Sequence, residues 1–184
     1  IVTGAGRGIG KEIALTLADA GANVWVADII SETAKQTSEE IIKTGKKSGW
    51  SAIDVADQKQ MDKMVDLATG EMGGLDIMVN AAGVFCMDTI DDICAAELER
   101  TTSVNLFGIV YGCKAAIRNI SKTSEKGSIV NITAATGDEG DSAFPFNYMN
   151  KSAVLNFTKS TALTACAEGI RCNAVCVGLV HTEM

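Results

Sequence analysis

Short apolar runs alternate with amphipathic stretches along the whole chain, and that alternation predicts an α/β fold: a doubly wound parallel sheet with helices on both faces. Three observations carry the prediction. Runs such as Val24-Trp25-Val26-Ala27 are apolar on consecutive residues, as strands covered on both faces are. A glycine-rich turn, Gly4-Ala5-Gly6-Arg7-Gly8-Ile9-Gly10, joins the first strand to the first helix. An acidic residue, Asp28, ends the second strand.

The elements follow in order. Ile1-Val2 begins the first strand. Ile9, Ile13 and Leu17 recur every four residues on one helical face, and Gly21 stops that helix. After Val24–Asp28, a polar helix runs through Glu39 and Ile42, and Ser48-Gly49-Trp50-Ser51-Ala52-Ile53 is the third strand. Asp57 and Gln60 have capping-box spacing ahead of Met61, Met64, Val65 and Ala68, which share a face. Leu75-Asp76-Ile77-Met78-Val79 is the fourth strand. A long helix is expected from about Ala95 to Ile120, a fifth strand over Gly127–Ile132, a helix over roughly Tyr148–Ala167, and a sixth strand over Arg171–Val175. With one proline and no repeat or linker, residues 1–184 read as a single domain.

A chain of 184 residues can bury a sizeable core. Its 47% hydrophobic and 21% charged residues are those of an ordinary globular protein. The net charge of -7 argues against a nucleic-acid partner. No apolar run is as long as a membrane span and no signal peptide is recognisable, so no membrane partner and a cytoplasmic location are expected. Cys86, Cys94, Cys113, Cys166, Cys172 and Cys176 show no paired metal spacing, and His181 is the only histidine, so no metal site is expected. The cysteines read as reduced, buried, small apolar residues. Strand-like residues at the start and close to Met184 suggest a chain that continues beyond both ends.

Glycines between a strand and a helix let the backbone turn sharply and approach a pyrophosphate, whose charge the helix N-terminus favours. The carboxylate of Asp28 can accept hydrogen bonds from both hydroxyls of an adenosine ribose and would repel a 2′-phosphate. NAD is therefore expected rather than NADP.

The spacing Gly4-x-x-x-Gly8-x-Gly10, together with Asn80-Ala81-Ala82-Gly83 after the fourth strand, resembles the short-chain dehydrogenase/reductase family over essentially the whole chain. The resemblance implies a Rossmann-type fold that would continue into a substrate lid and a last strand. It also implies a cofactor site. Gly4, Arg7, Gly8, Ile9 and Gly10 form its glycine turn, and Asp54 and Val55 match the pair beside the adenine. Asn80, Ala81 and Gly83 match the motif that fixes the central strand. Val180 and Thr182 match the contacts to the nicotinamide carboxamide, in a stretch that begins with Val177 where the family has proline. Asn105 matches the asparagine that supports a proton-relay water, and Lys151 the lysine that grips the nicotinamide ribose. A homodimer or homotetramer packed through helices around residues 101–120 and 148–167 is implied as well.

In that family a tyrosine four residues before the lysine moves the substrate proton, and a serine after the fifth strand binds the substrate oxygen. A phenol with a pKa near ~10 needs a nearby cation to act as a base at neutral pH. Here the serine position, counted back from Gly137, is Ala134. The adjacent Thr133 faces the other way in an extended strand. The tyrosine position is Asn147, with Pro145 aligned to the proline that often precedes it. Tyr148 is the remaining phenol beside Lys151. At about 100° per residue it points away from the Asn147 direction, and a one-residue slip of the first turn would bring it inward past Met149 and Asn150. Phe85, Cys86, Asp141, Phe144 and Phe146 are candidate residues for the substrate mouth.

Two readings of function follow. One is an NAD(H)-dependent dehydrogenase or reductase that interconverts a secondary alcohol and a ketone, using Lys151, Asn105 and Tyr148. The other is an NAD-binding pseudoenzyme or oligomer scaffold, motivated by Ala134 and Asn147. An incomplete gene product is a third.

Overall fold

A computed structural model describes residues 1–134 and 142–182 of the chain. Strands β1 (Val2–Thr3), β2 (Val24–Asp28), β3 (Ser48–Ala52), β4 (Ile77–Asn80), β5 (Gly127–Ala134) and β6 (Ile170–Val177) form one parallel sheet in the order β3-β2-β1-β4-β5-β6. The chain winds outward from β1 to β3, then crosses back to β4 on the other side of β1. The carboxyl ends of β1 and β4 therefore flank the reversal, where open α/β sheets form a ligand crevice.

Strand alternation divides the interior into two cores. Val24, Val26, Val2 and Val79 face helices α1 (Gly8–Asp19) and α2 (Ser31–Lys43). Trp25, Ala27, Met78 and Ile129 face α3 (Gln58–Met72), α5 (Gly108–Thr123) and α6 (Pro145–Ala165). This is the expected architecture, and it explains why the inner strand β2 is apolar on consecutive residues.

Three local expectations are adjusted. The helix expected from Ala95 to Ile120 is α4 (Ala95–Thr102), then a π-helical turn at Ser103–Phe107, then α5. Apolar periodicity cannot register such a turn, because helical side chains continue on both sides of it. Asp57 does cap α3, accepting from the N–H groups of Lys59 at 2.8 Å and Gln60 at 3.2 Å. The reciprocal bond of a capping box is absent. Gln60 Oε1 instead accepts from Asp54 N–H at 3.1 Å, and the Asp57 N–H reaches the Asp54 carbonyl. The cap thus closes the loop that carries Asp54 and Val55. Finally, only Cys86, Cys113 and Cys172 are buried; Cys94, Cys166 and Cys176 are exposed, because they lie in connecting turns and near the end of β6. Among the described residues no helix is long and apolar enough to cross a membrane, and no cluster of His, Cys, Asp and Glu could hold a metal.

Candidate functional site

The β1–α1 turn approaches the β4 loop closely. Gly4 has φ +64°, and a Cβ there would stand 2.6 Å from the Cα of Ala82. A Cβ at Gly10 would collide with the Gly4 carbonyl. The Thr3 hydroxyl, buried at the end of β1, accepts from the N–H groups of Ala81 at 3.1 Å and Ala82 at 3.3 Å. Those two contacts fix the crevice between β1 and β4. α1 begins at Gly8, with Arg7 exposed and extended just before it. The turn is a backbone cradle of the kind that accepts a pyrophosphate at a helix N-terminus.

Asp28 holds the rim of that cradle. Its Oδ2 accepts from Gly6 N–H at 2.9 Å and its Oδ1 from Ile30 N–H at 3.0 Å. A carboxylate has about four acceptor positions, so each oxygen keeps one for a ligand. On the far side, the Thr182 side chain lies 3.6 Å from where a Gly8 Cβ would stand, so the segment after β6 returns to the glycine turn. Val180 and Leu179 in that segment are exposed. Asp54 turns the β3 end by accepting from Ala56 N–H, and Val55 is buried beside Gly108 at the start of α5.

Beyond the crevice, Gly83, Asn105 and Lys151 converge. From the position of a Gly83 Cβ, Asn105 Oδ1 is 3.3 Å away and Lys151 Nζ 3.9 Å. Asn105, buried in the π-helical turn, accepts from Val84 N–H and donates to the Val84 carbonyl, each at 2.8 Å. Its side chain is therefore committed to the loop. Lys151 Nζ donates to the Ile132 carbonyl at 3.4 Å, and burial lowers its ammonium below the ordinary 10.5.

Asn147 repeats the Asn105 arrangement one residue pair further on. Its Oδ1 accepts from Cys86 N–H at 3.1 Å and its Nδ2 donates to the Cys86 carbonyl. Arg100, held by Glu97 at 2.6 Å, donates to the Phe85 carbonyl between them. Three side chains thus pin Val84, Phe85 and Cys86 along one line. Asn147 is 7% exposed and occupies the inward direction on α6; the half-buried Tyr148 follows it, and both N–H groups bond the Phe144 carbonyl, so the helix starts without a register slip. Thr133 donates its hydroxyl to the Lys151 carbonyl at 3.0 Å, away from the crevice, and Ala134 ends β5.

Of the candidate mouth residues, Phe85 and Phe144 pack edge to face with ring centroids 5.0 Å apart. Cys86 and Phe146 do not line a mouth: they are 1% and 7% exposed, because Asn147 and the first turn of α6 draw them into the interior. Asp141, and the Gly137 used to place Ala134, lie outside the described residues. The Asn147–Cys86 clamp and the Arg100–Phe85 contact were not foreseen. A signal for the first exists in the sequence: Asn147, Asn150, Val154 and Thr158 recur at helical spacing, which marks a buried stripe with polar members.

Two outcomes follow from this geometry. Asn147→Ala leaves the buried N–H of Cys86 without its partner and should destabilise the fold by about 1–3 kcal/mol, read from the urea midpoint. An unchanged midpoint would show that the clamp contributes nothing. Because burial lowers the Lys151 pKa, the unfolded chain binds more protons between that lowered value and 10.5, so stability rises with pH across that window. Below the window the desolvation cost is present in full. Lys151→Met should therefore raise the ligand-free melting temperature at neutral pH and flatten the alkaline rise; a lowered, still pH-dependent melting temperature would contradict it.

The family model described as short chain dehydrogenase matches residues 1–184. The chain is 35% identical to a diacetyl reductase [(S)-acetoin forming] of Staphylococcus epidermidis, over 100% of this chain and 72% of that protein. It is also 35% identical to a 3-alpha-(or 20-beta)-hydroxysteroid dehydrogenase of Mycobacterium tuberculosis, over 100% of this chain and 69% of the relative. A crystal structure of a short-chain type dehydrogenase/reductase from Mycobacterium marinum superposes with a TM-score of 0.94 at 33% identity, covering 99% of this chain and 72% of the other. With its six-stranded parallel sheet and the crevice at the β1–β4 reversal, the chain belongs to the short-chain dehydrogenase family.

Proposed function

We propose that this chain is an NAD(H)-dependent oxidoreductase that interconverts a secondary alcohol and a ketone, with its proton step weakened by Ala134 and Asn147. The observation that supports it best is the Asp28 carboxylate, bonded to Gly6 N–H at the rim of the glycine turn. A negative charge there accepts ribose hydroxyls and disfavours a 2′-phosphate. When bound, the cofactor supplies hydride exchange at its nicotinamide ring. Gly4, Arg7, Gly8, Ile9 and Gly10 hold its pyrophosphate, Asp54 and Val55 its adenine, and Asn80, Ala81, Gly83, Val180 and Thr182 its nicotinamide side. Lys151 grips the nicotinamide ribose.

The chain's remaining work is orientation and proton handling. The Phe85–Phe144 pair bounds an apolar wall for the substrate. Lys151 passes the proton at the substrate oxygen, with a water held at the backbone of Asn105, whose side chain is taken up by Val84, and with Tyr148 as the remaining phenol beside it on α6. The relatives are named for diacetyl and for hydroxysteroids, which is consistent with a ketone or secondary alcohol here. The setting is a cytoplasmic homodimer or homotetramer.

A second reading, an NAD-binding scaffold, is favoured by one observation: Asn147, at the tyrosine position, spends both polar atoms on the Cys86 backbone. Ketone-dependent NADH oxidation separates the two. Turnover by the unmodified chain that Tyr148→Phe abolishes would end the scaffold reading. NADH binding with turnover only after Ala134→Ser plus Asn147→Tyr would end the enzyme reading, and the restored variant should then gain about 10²–10⁴-fold.

The cofactor assignment has its own test. Asp28→Ala should weaken NADH binding by about 10–100-fold and narrow the preference over NADPH. Equal affinities of the unmodified and substituted chains for NADH would refute NAD at this site.

A further inference from the structure

The side of the glycine turn that faces β2 carries a second polar group besides Asp28. Gly6 is buried under two side chains at once. A Cβ there would collide with Thr33 Oγ1 and stand 2.9 Å from Asp28 Oδ2, so a hydroxyl of α2 and the carboxylate of β2 close over the same backbone point. The carboxylate accepts from Gly6 N–H and Ile30 N–H, and the Thr33 hydroxyl donates to the Ile30 carbonyl at 3.0 Å. Both side chains are half-buried and keep a face toward solvent. No role given above uses Thr33.

The first turn of α2 does not depend on that hydroxyl, because Ala34 N–H already reaches the Ile30 carbonyl at 3.1 Å. What the bond does is commit the one proton that Thr33 owns. A hydroxyl has a single proton and two lone pairs, so with the proton held at Ile30 its oxygen meets a ligand beside Gly6 as an acceptor. The ionised carboxylate next to it is an acceptor only as well. Two acceptors over one glycine suit a partner that brings protons.

A ribose with free 2′- and 3′-hydroxyls brings two. A 2′-phosphate brings oxygens and negative charge, and it would have to break the Thr33–Ile30 bond to receive a proton. The start of α2 has no side-chain cap and would by itself favour an anion, but Glu32 in its first turn opposes that. Resting on the reading of Asp28 as a ribose contact, the geometry points to Thr33 as a second specificity-determining residue of the cofactor site. Its oxygen accepts from an adenosine-ribose hydroxyl beside Asp28, and the pair together turns away a 2′-phosphorylated cofactor. Removing the carboxylate alone therefore leaves part of the preference standing.

The test titrates NADH and NADPH, by nucleotide fluorescence, into the full chain and into Thr33→Val, Thr33→Ser and Asp28→Ala. Valine keeps the shape of threonine and removes the acceptor, whereas serine keeps the acceptor. Thr33→Val should weaken NADH binding by about 3–10-fold, the loss of one hydrogen bond, while NADPH binds no more weakly than before. Thr33→Ser should behave as the unmodified chain. If Thr33→Val leaves both affinities unchanged while Asp28→Ala loses NADH, the carboxylate acts alone and the proposal is overturned. Equal weakening of NADH and NADPH by Thr33→Val, or weakening by Thr33→Ser as well, overturns it too, since that is the mark of a hydroxyl needed only for the shape of α2. If Asp28→Ala and Thr33→Val both bind NADH as the unmodified chain does, the reading of the site as a ribose contact fails and takes this proposal with it.

Discussion

The contact between the ends of β1 and β4 constrains everything else at the candidate site. β1 contributes only two residues to the sheet, yet it sits at the reversal with a parallel neighbour on each side. So short a central strand has few ladder bonds of its own. The Thr3 hydroxyl extends its hold on β4 by accepting from Ala81 and Ala82, and the Asp28 carboxylate does the same toward β2 through Gly6. Gly4 must then lie against Ala82 with nothing between, a distance that any side chain would prevent. The glycine turn is thus as much a condition of the sheet as of the ligand crevice.

The order of elements was legible because β2 and β4 are apolar on consecutive residues and helices such as α3 carry a clear apolar face. Asp28 and the glycine turn were legible for a related reason: backbone curvature and a strand-end carboxylate leave few residue choices. The π-helical turn at Ser103–Phe107 was not, since it adds a residue to one turn without altering side-chain character. Nor was the pinning of Val84, Phe85 and Cys86. Asn105, Arg100 and Asn147 come from three separate stretches of chain, and their common target is backbone, which leaves no trace in residue identity. The mouth residues divided on the same account. Phe85 and Phe144 meet each other, whereas Cys86 and Phe146 are carried inward by contacts that spacing does not encode.

Asn147 shows what a carboxamide can do that a single hydroxyl cannot. A phenol reaches far and offers a single hydroxyl, so it cannot serve the N–H and the carbonyl of one residue together. A carboxamide does both, and Cys86 receives both bonds. The loop that borders the crevice thereby gains a fixed backbone. The same stripe of α6 goes on to Asn150, whose buried carboxamide has neither its oxygen nor its nitrogen partnered among the described residues, and to Thr158, which anchors on Asn131. Polar groups have been placed along this face for fixation at two points out of three.

Lys151 makes the remaining argument. Its ammonium is depressed by burial, and its hydrogen bond is to the Ile132 carbonyl. Among the described residues it forms no ion pair. A buried cation in that condition carries a desolvation cost in the ligand-free fold. Ribose hydroxyls brought to the crevice would offset that cost directly, and they would do so with or without a phenol at position 147. The lysine is therefore understandable as a ligand contact first. Any proton it moves depends on how far burial has already loosened that proton's hold.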